Sequence, residues 1–263
     1  MRASTGTTVG PVVRRSEHVM GMPISLALRG GHCDDDAAAS AWDEAMATLR
    51  DVDRVFSTYR DDSFVSRLGR GEISVADCPP EVAEVLALGE VARLLSHGAF
   101  DVRRPGTDGR MVLDPSGVVK GWAVERAARP LRGLADTDFC LSAGGDMVCH
   151  VADPDAPAWR VGIEDPADPS RLVAVVPVRH GAVATSGTAH RGEHVVDART
   201  GAAPQGIASV TVVGDDLTWA DIDATAAFAL GREALGWLTT SSGRSGLVVW
   251  SDGTAETFGR PRG

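Results

Sequence analysis

Two oxygen-bearing side chains stand four residues apart in the segment ADIDATAAF. They are Asp221 and Thr225. Residues four apart on a helix project from the same face one turn apart, so a carboxylate and a hydroxyl would lie side by side. Both are hard oxygen ligands of the kind that Mg²⁺ binds, with water and substrate phosphate completing the shell. The spacing is thus compatible with a magnesium site. An N-terminal cap by Asp221, with Thr225 bonded to the backbone, explains the same residues.

A second candidate is the stretch DPSGVVKGWAVERAARPL, residues 114–131. Asp114 precedes a turn, and Gly117 allows a carbonyl oxygen to approach a ligand closely because it has no side chain. The rare Lys120 of this arginine-rich chain follows at the predicted start of a helix, where backbone N–H groups also favour an anion. The stretch therefore predicts a site for a phosphorylated ligand. The alternative is a solvated lysine after a turn.

Three further groups could bind or react. The pair Gly144–Gly145 allows close backbone approach to a ligand, or equally a β-bulge. Tyr59, the only tyrosine, could stack on a flat heterocycle or be a partly buried core aromatic. His194, three residues before Asp197, could accept a proton at neutral pH, although a single histidine is often structural.

Composition limits the function. The 263-residue chain is 43% hydrophobic with a net charge of −10, which is typical of a globular protein and argues against one that coats nucleic acid. An anionic ligand must then be held by a metal, a helix N-terminus or a placed cation. Four cysteines without metal spacing predict free thiols rather than a disulfide framework. No apolar run suggests a signal peptide or a membrane span, so we expect a cytoplasmic protein without membrane contact.

The elements that must position these residues follow from hydrophobic periodicity. We expect residues 1–16 to be disordered or frayed and residues 17–263 to form a single domain. The pattern predicts a first strand over residues 16–30, helices that begin near Asp34 and at Pro80, and a third helix over residues 121–134. Short apolar runs after Gly133 predict a sheet-rich half, followed by a helix over residues 219–242 and a last strand. Without strict β-α-β alternation, this order favours an α+β fold.

Taken in sequence, the motifs resemble the ApbE family, flavin transferases that move FMN from FAD onto a protein threonine. The resemblance runs from about Met20 to about Leu238. It is carried by the segments MGMPIS, FSTYRDDSFVSRL, GAFDV, DPSGVVKGWAVERA, LSAGGDM, WRVGIEDP, ATSG, HVVDARTG, SVTVV and ADIDATAAFALG. The chain departs from the family's usual pattern at Arg103–Arg104 and in a short segment between Ser186 and His194.

The resemblance implies a T-fold-like, two-lobed α+β structure, with mixed or antiparallel sheets flanked by helices and an FAD cleft between the lobes. It implies Mg²⁺, or Mn²⁺, held by Asp221, Thr225 and the carbonyls of Gly117 and Ala224. It implies His194 as the suspected base beside a catalytic Asp221. The implied FAD-lining residues are Met20, Tyr59, Ala99, Phe100, Asp101, Asp114, Lys120 and Val195.

The implied activity is Mg²⁺-dependent transfer of FMN from FAD to a threonine of an acceptor flavoprotein, through a phosphoester bond, with release of AMP. Two other functions use the same site. An FAD pyrophosphatase would let water attack in place of threonine, and a non-catalytic FAD-binding protein would hold the dinucleotide without turnover.

Overall fold

An eight-stranded antiparallel sheet forms the centre of the computed structural model, which describes residues 11–106, 109–188, 195–240 and 243–259. Two small hairpins accompany it, β3 (Arg103–Pro105) with β4 (Met111–Leu113) and β7 (Trp159–Asp165) with β8 (Asp168–Val178). In spatial order the strands of the sheet are β1 (Val13–Val19), β2 (Met22–Gly30), β5 (Thr137–Ala143), β6 (Asp146–His150), β9 (Gly181–Gly187), β10 (Ile207–Gly214), β11 (Ser245–Trp250) and β12 (Ala255–Phe258).

The first strand predicted from the sequence is in fact a hairpin. Met20 and Gly21 lie between β1 and β2 with φ angles of 55° and 71°, and a two-residue type I′ turn requires positive φ at both positions. Strand β1 begins at Val13 and pairs Val13 with Leu28. The prediction of a frayed segment up to residue 16 is therefore wrong for residues 13–16, because their backbone groups bond to β2.

Seven α-helices occur in the described part of the chain. Their bounds are α1 (Asp36–Phe56), α2 (Phe64–Gly69), α3 (Pro80–Leu95), α4 (Ser116–Ala127), α5 (Arg129–Arg132), α6 (Leu217–Leu230) and α7 (Ala234–Thr240). The third predicted helix thus begins five residues earlier than expected and breaks before α5, where Pro130 has no N–H to continue it. The helix predicted over residues 219–242 is likewise divided into α6 and α7. The division occurs because Gly231 has φ 59°, a left-handed conformation that ends α6.

The helices and the hairpin β7–β8 cover opposite faces of the sheet. One hydrophobic core joins α1, α4 and α6 to strand residues such as Leu26 and Leu141. A smaller cluster packs Val161 and Ile163 of β7 against Cys149 of β6. The predicted α+β class is confirmed. No helix among the described residues has the length and apolarity needed to cross a membrane.

Helices α4 and α6 approach each other unusually closely at two glycines. A Cβ atom on Gly117 would lie 2.8 Å from Phe100 Cε2 and 3.3 Å from Thr225 Cγ2. A Cβ on Gly121 would lie 2.6 Å from both Asp221 Cβ and the Leu217 carbonyl oxygen. The two glycines are four residues apart, as are Asp221 and Thr225, so each polar residue of α6 faces one glycine of α4.

We predict that Gly121→Ala destabilises the fold by about 1–3 kcal/mol, because the added methyl group overlaps α6 backbone and side-chain atoms. Urea unfolding checks this. The matched control is Gly236→Ala in α7, where a Cβ meets nothing within 4 Å and the change should stabilise by about 0.5–1 kcal/mol. Equal unfolding midpoints for the two variants would contradict the close contact.

Candidate functional site

A cleft opens where α4 and α6 meet the ends of strands β6 and β9. One wall is the hairpin β7–β8, with Val161 and Ile163 lining it, and the opposite wall is formed by Gly117 and Lys120 of α4. The floor includes Asp221 and Thr225 of α6, together with residues of β9 and β10. The cleft therefore brings together the two motifs that the sequence singled out separately.

Lys120, the only lysine in the sequence, lines this cleft and joins two acidic residues. Its Nζ lies 2.6 Å from Asp146 Oδ2 and 3.2 Å from Asp221 Oδ1. The lysine side chain is 14% exposed, whereas those of Asp146 and Asp221 are 0% and 1% exposed. One ammonium thus stands between two buried carboxyl groups, so full ionisation leaves a net negative charge that favours an added cation.

The second oxygen of Asp221 contacts the backbone of α4. Asp221 Oδ2 accepts the N–H of Gly121 at 2.8 Å. In a regular α-helix that N–H donates to the carbonyl oxygen of residue 117. Asp221 and the Gly117 carbonyl therefore compete for the same donor. The cap of α6 is Asp216, which accepts the N–H of Trp219. The capping alternative for Asp221 is therefore wrong.

Burial raises the pKa of Asp221 to about 7, from its ordinary value of 3.8. The nearby ammonium of Lys120 opposes this rise, while the charge of Asp146 adds to it. A carboxyl group in this state exchanges its proton near neutrality. Binding of a cation at Asp221 would therefore compete with a proton.

Asp146 is held where two strands separate. The pairing of β6 with β9 ends at Met147 and Val183. Beyond that point Asp146 Oδ1 accepts the N–H of Thr185 at 3.0 Å. Asp146 follows the turn Gly144–Gly145, whose φ angles of 57° and 97° define a hairpin turn rather than a bulge. This turn also lines the cleft.

Several hydroxyl groups surround the acidic residues. Thr225, in the middle of α6, is half-buried. Its Oγ1 lies 3.0 Å from Ser186 Oγ. Ser209 Oγ is buried, lines the cleft and has no hydrogen-bond partner among the described residues. An unpaired buried hydroxyl is costly, so Ser209 is ready to bond to a polar group of a ligand.

The oxygen ligands that these residues offer suit a hard cation whose coordination shell is completed by water and phosphate. Asp221 supplies a carboxylate, Thr225 a hydroxyl, and the Gly117 carbonyl lies on the adjoining helix. No three His, Cys, Asp or Glu side chains of the described segments cluster closely enough to hold a metal ion. A mixed set of few protein oxygens is what Mg²⁺ uses when waters and phosphate complete the octahedron. The residues present therefore fit this ion.

A second ion pair lines the cleft. Arg104 donates to Asp114 Oδ2 at 2.7 Å, and Asp114 Oδ1 accepts the N–H of Ser116 at 3.2 Å. Burial of Asp114 opposes its ionisation, but the bonds from Ser116 and Arg104 outweigh burial and lower its pKa. Phe100 and Asp101 lie in the same wall. Asp114 is thus an anion that positions Arg104 at the cleft.

The structure does not bring every predicted residue to the cleft. Among the residues lining it are Phe100, Asp101, Asp114, Gly117, Lys120, Val195, Asp221 and Thr225. Met20 lies in the β1–β2 turn, Tyr59 is 98% exposed after α1, and Ala224 is buried in α6. Buried Ala99 accepts the N–H of Ala198 at 3.0 Å, so it anchors the segment that holds Val195. His194 lies outside the described residues.

Sequence reasoning assigned no role to several residues of the site. Among them are Arg104, Gly121, Asp146, Ser186 and Ser209. A signal existed for Gly121, because Gly117 and Gly121 are separated by four residues, the same spacing as between Asp221 and Thr225. Asp146 could have been noticed as an acid that directly follows a two-glycine turn. The partners of Arg104 and Ser186 lie on other elements and leave no local pattern.

Comparison with known proteins identifies related chains. The family model described as "ApbE family" matches residues 20–105 and 103–247. A protein named FAD:protein FMN transferase from Rhodobacter capsulatus is 32% identical over 196 residues, which cover 68% of this chain and 37% of the relative. One of the same name from Haemophilus influenzae is 25% identical over 256 residues, 73% of this chain and 72% of the relative. The chain thus spans just over a third of the Rhodobacter capsulatus relative.

Solved structures share the fold. The apo form of Pseudomonas stutzeri flavinyl transferase ApbE superposes with a TM-score of 0.79 at 22% identity, covering 97% of both chains. Flavin transferase ApbE from Vibrio cholerae gives 0.77 at 22% identity, covering 94% of this chain and 98% of that one. At this identity the similarity establishes the fold alone.

We predict that the metal-free protein loses stability as the pH rises. The raised folded-state pKa of Asp221 contributes stability that is fully present below about pH 4, where the group is also protonated in the unfolded chain, and is lost as the pH rises through about 7. In chelator-containing buffer, Tm of the wild type relative to Asp221→Asn should fall by on the order of 5 °C between pH 5 and pH 8. Thermal scans measure this difference.

The control for losing a carboxyl group as such is Asp43→Asn, at an exposed position of α1. Parallel Tm profiles for the wild type and Asp221→Asn over this pH range would show that Asp221 ionises normally.

Proposed function

Because this chain belongs to the ApbE family, we propose that it is an FAD:protein FMN transferase. It would move FMN from FAD to a threonine of an acceptor protein through a phosphoester bond and release AMP. Two relatives carry this activity as their name. The single observation in favour is the cluster of Lys120, Asp221 and Thr225 in one cleft, where a cation and a diphosphate would be held together.

The chain's own residues supply the binding. With a cation held at Asp221, Lys120 would keep its ion pair with Asp146, and its ammonium would supply positive charge toward the diphosphate of FAD. Asp221, Thr225 and the carbonyls of Gly117 and Ala224 are the proposed ligands of Mg²⁺. Bound there, Mg²⁺ would supply charge neutralisation at the diphosphate and so ease the departure of AMP.

The transfer step needs a base and a positioned nucleophile. We assign the base to His194, which takes the proton from the acceptor's threonine hydroxyl. The threonine oxygen then bonds to the phosphorus on the FMN side, the bond from that phosphorus to the bridging oxygen breaks, and AMP leaves with that oxygen. The rest of the site acts by positioning and charge, which is the main means of catalysing phosphoryl transfer.

The apolar wall of the cleft favours a protein acceptor over water. Val161 and Ile163 of β7 line it together with Val195. Such side chains exclude water from the space beside the diphosphate and strengthen the charge interactions there. Hydrolysis of FAD to FMN and AMP would then be the minor reaction of the same site.

The remaining partners follow from charge and composition. A net charge of −10 argues against nucleic acid as a partner, and the cytoplasm stays the predicted location. The proposed partners are therefore FAD and an acceptor flavoprotein with a threonine flavinylation motif.

We predict that co-expression with a candidate acceptor adds one FMN, less one water, to a threonine of that acceptor, as detected by mass spectrometry. Thr225→Val should reduce transfer at least tenfold, because the change removes one proposed metal ligand at constant volume. The control is Thr239→Val, an exposed threonine of α7. AMP release with only free FMN would indicate a pyrophosphatase, and FAD binding without AMP would indicate a storage protein.

We predict that His194→Ala slows FMN transfer by about 10²–10⁴-fold, the usual contribution of a general base, while the dissociation constant for FAD changes little. Flavin fluorescence measures binding, and the rate of acceptor labelling measures transfer. His18→Ala, at an exposed position of β1, is the control. Wild-type rates in the His194 variant would assign the base to another group.

A further inference from the structure

Two cysteines face each other across the hairpin that carries Asp146 to the cleft. Cys140 of β5 is directly opposite Cys149 of β6 in the antiparallel register. The hairpin closes through the two-residue turn Gly144–Gly145, next to the pair Ala143 and Asp146. Hydrogen-bonded and non-hydrogen-bonded pairs alternate outward from such a turn. By this alternation Cys140 and Cys149 form a non-hydrogen-bonded pair, in which side chains approach most closely.

The spacing of this pair is that of a disulfide. Cα atoms in a non-hydrogen-bonded pair are about 4.5 Å apart, and disulfides join residues whose Cα atoms are about 4.4–6.8 Å apart. The two Sγ atoms are already 3.6 Å apart. A change of side-chain torsion is enough to bring them to bonding distance, and the backbone of the sheet stays in place.

We propose that Cys140 and Cys149 are a modification site that forms a reversible intramolecular disulfide with a hydroperoxide as oxidant. This inference concerns a pair of residues that the FMN transfer does not use, so it does not depend on the proposed function. The other two cysteines, Cys33 and Cys78, lie in different elements, before α1 and before α3.

The surroundings of the two thiols give them different roles in the oxidation. Cys149 is buried, whereas Cys140 is partly exposed. The thiol of Cys149 donates to the sulfur of Cys140, which lowers the pKa of Cys140 against the opposing effect of burial. The same hydrogen bond, together with burial, raises the pKa of Cys149. Cys140 is therefore the thiol that meets the oxidant first.

The reaction balances in two steps. The Cys140 thiolate attacks the terminal oxygen of the hydroperoxide, the O–O bond breaks and a sulfenic acid forms. The other oxygen leaves with the proton that the Cys140 thiol had lost, as water from hydrogen peroxide or as an alcohol from an alkyl hydroperoxide. The sulfur of Cys149 then attacks the sulfenic sulfur, the S–S bond forms, and the sulfenic hydroxyl leaves with the Cys149 proton as water. For hydrogen peroxide, two thiols lose two protons and two electrons, and the peroxide becomes two waters.

The bond would lie directly beneath one wall of the cleft. Cys149 packs against Val161 and Ile163 of β7, and both of these line the cleft. The same hairpin holds Asp146 beside Lys120. Oxidation would thus fasten β5 to β6 at a point that supports both the wall and the charge cluster.

The test uses the full-length protein and hydrogen peroxide. Oxidised and reduced samples are alkylated, digested with trypsin and analysed by mass spectrometry. The sequence has no Arg or Lys between Arg132 and Arg160, so one peptide contains both Cys140 and Cys149, and Cys33 and Cys78 fall in two others. We expect peptide 133–160 to lose two hydrogen atoms, to escape alkylation and to regain both thiols with dithiothreitol.

Matched variants make the outcome decisive. The double variant with Cys33→Ser and Cys78→Ser should form the disulfide like the wild type, whereas Cys140→Ser and Cys149→Ser should each abolish it. The proposal is overturned if peroxide leaves both thiols of peptide 133–160 open to alkylation. It is equally overturned if that peptide gains oxygen atoms without losing hydrogen, or if it is found cross-linked to a peptide with Cys33 or Cys78.

Discussion

The contact of α4 with α6 determines what the cleft can do. Because Gly117 and Gly121 have no side chains, Asp221 reaches the backbone of α4 and accepts the N–H of Gly121. Burying a carboxyl group is costly unless it is bonded and its charge is offset. Here Lys120, from the same turn of α4, offsets it. The acidic site is thus built from a packing contact between two helices, which holds it more rigidly than a surface loop would.

Local charges would allow this acidic protein to hold the proposed dinucleotide. With a net charge of −10, the overall field repels a dinucleotide. Lys120 and Arg104 line the same cleft, and each is positioned by an aspartate, Asp146 for the first and Asp114 for the second. A positioned cation loses little conformational entropy when a phosphate arrives, so these ion pairs prepare the cleft in the absence of ligand.

Helical periodicity and turn glycines are local signals, so they predicted the class of fold and singled out part of the cleft, including Lys120, Asp221 and Thr225. Phe100, Asp101 and Val195 were expected only from the family resemblance. Spacing to Thr225 also selected Asp221 as the acid of ADIDATAAF that lines the cleft, but it could not show the role of Asp223. Asp223 instead makes a buried ion pair with Arg244, where burial raises its pKa to about 6 and the arginine opposes the rise. That distinction depends on which elements α6 packs against. The pairing of Asp146 with Lys120 was hidden for the same reason, since it joins a hairpin turn to a helix.

The order of strands in the sheet has a consequence for synthesis of the chain on the ribosome. Strand β2 pairs with β5, as in Ile24 with Ala143, and α1 to α5 lie between them in sequence. At about 5–20 residues per second, β5 emerges on the order of ten seconds after β2. During that interval the edge of β2 that later pairs with β5 is open, and open edges of this kind recruit other strands. Premature termination in the helical region would leave that edge permanently exposed, so truncated chains should be the aggregating species in cells that make this protein.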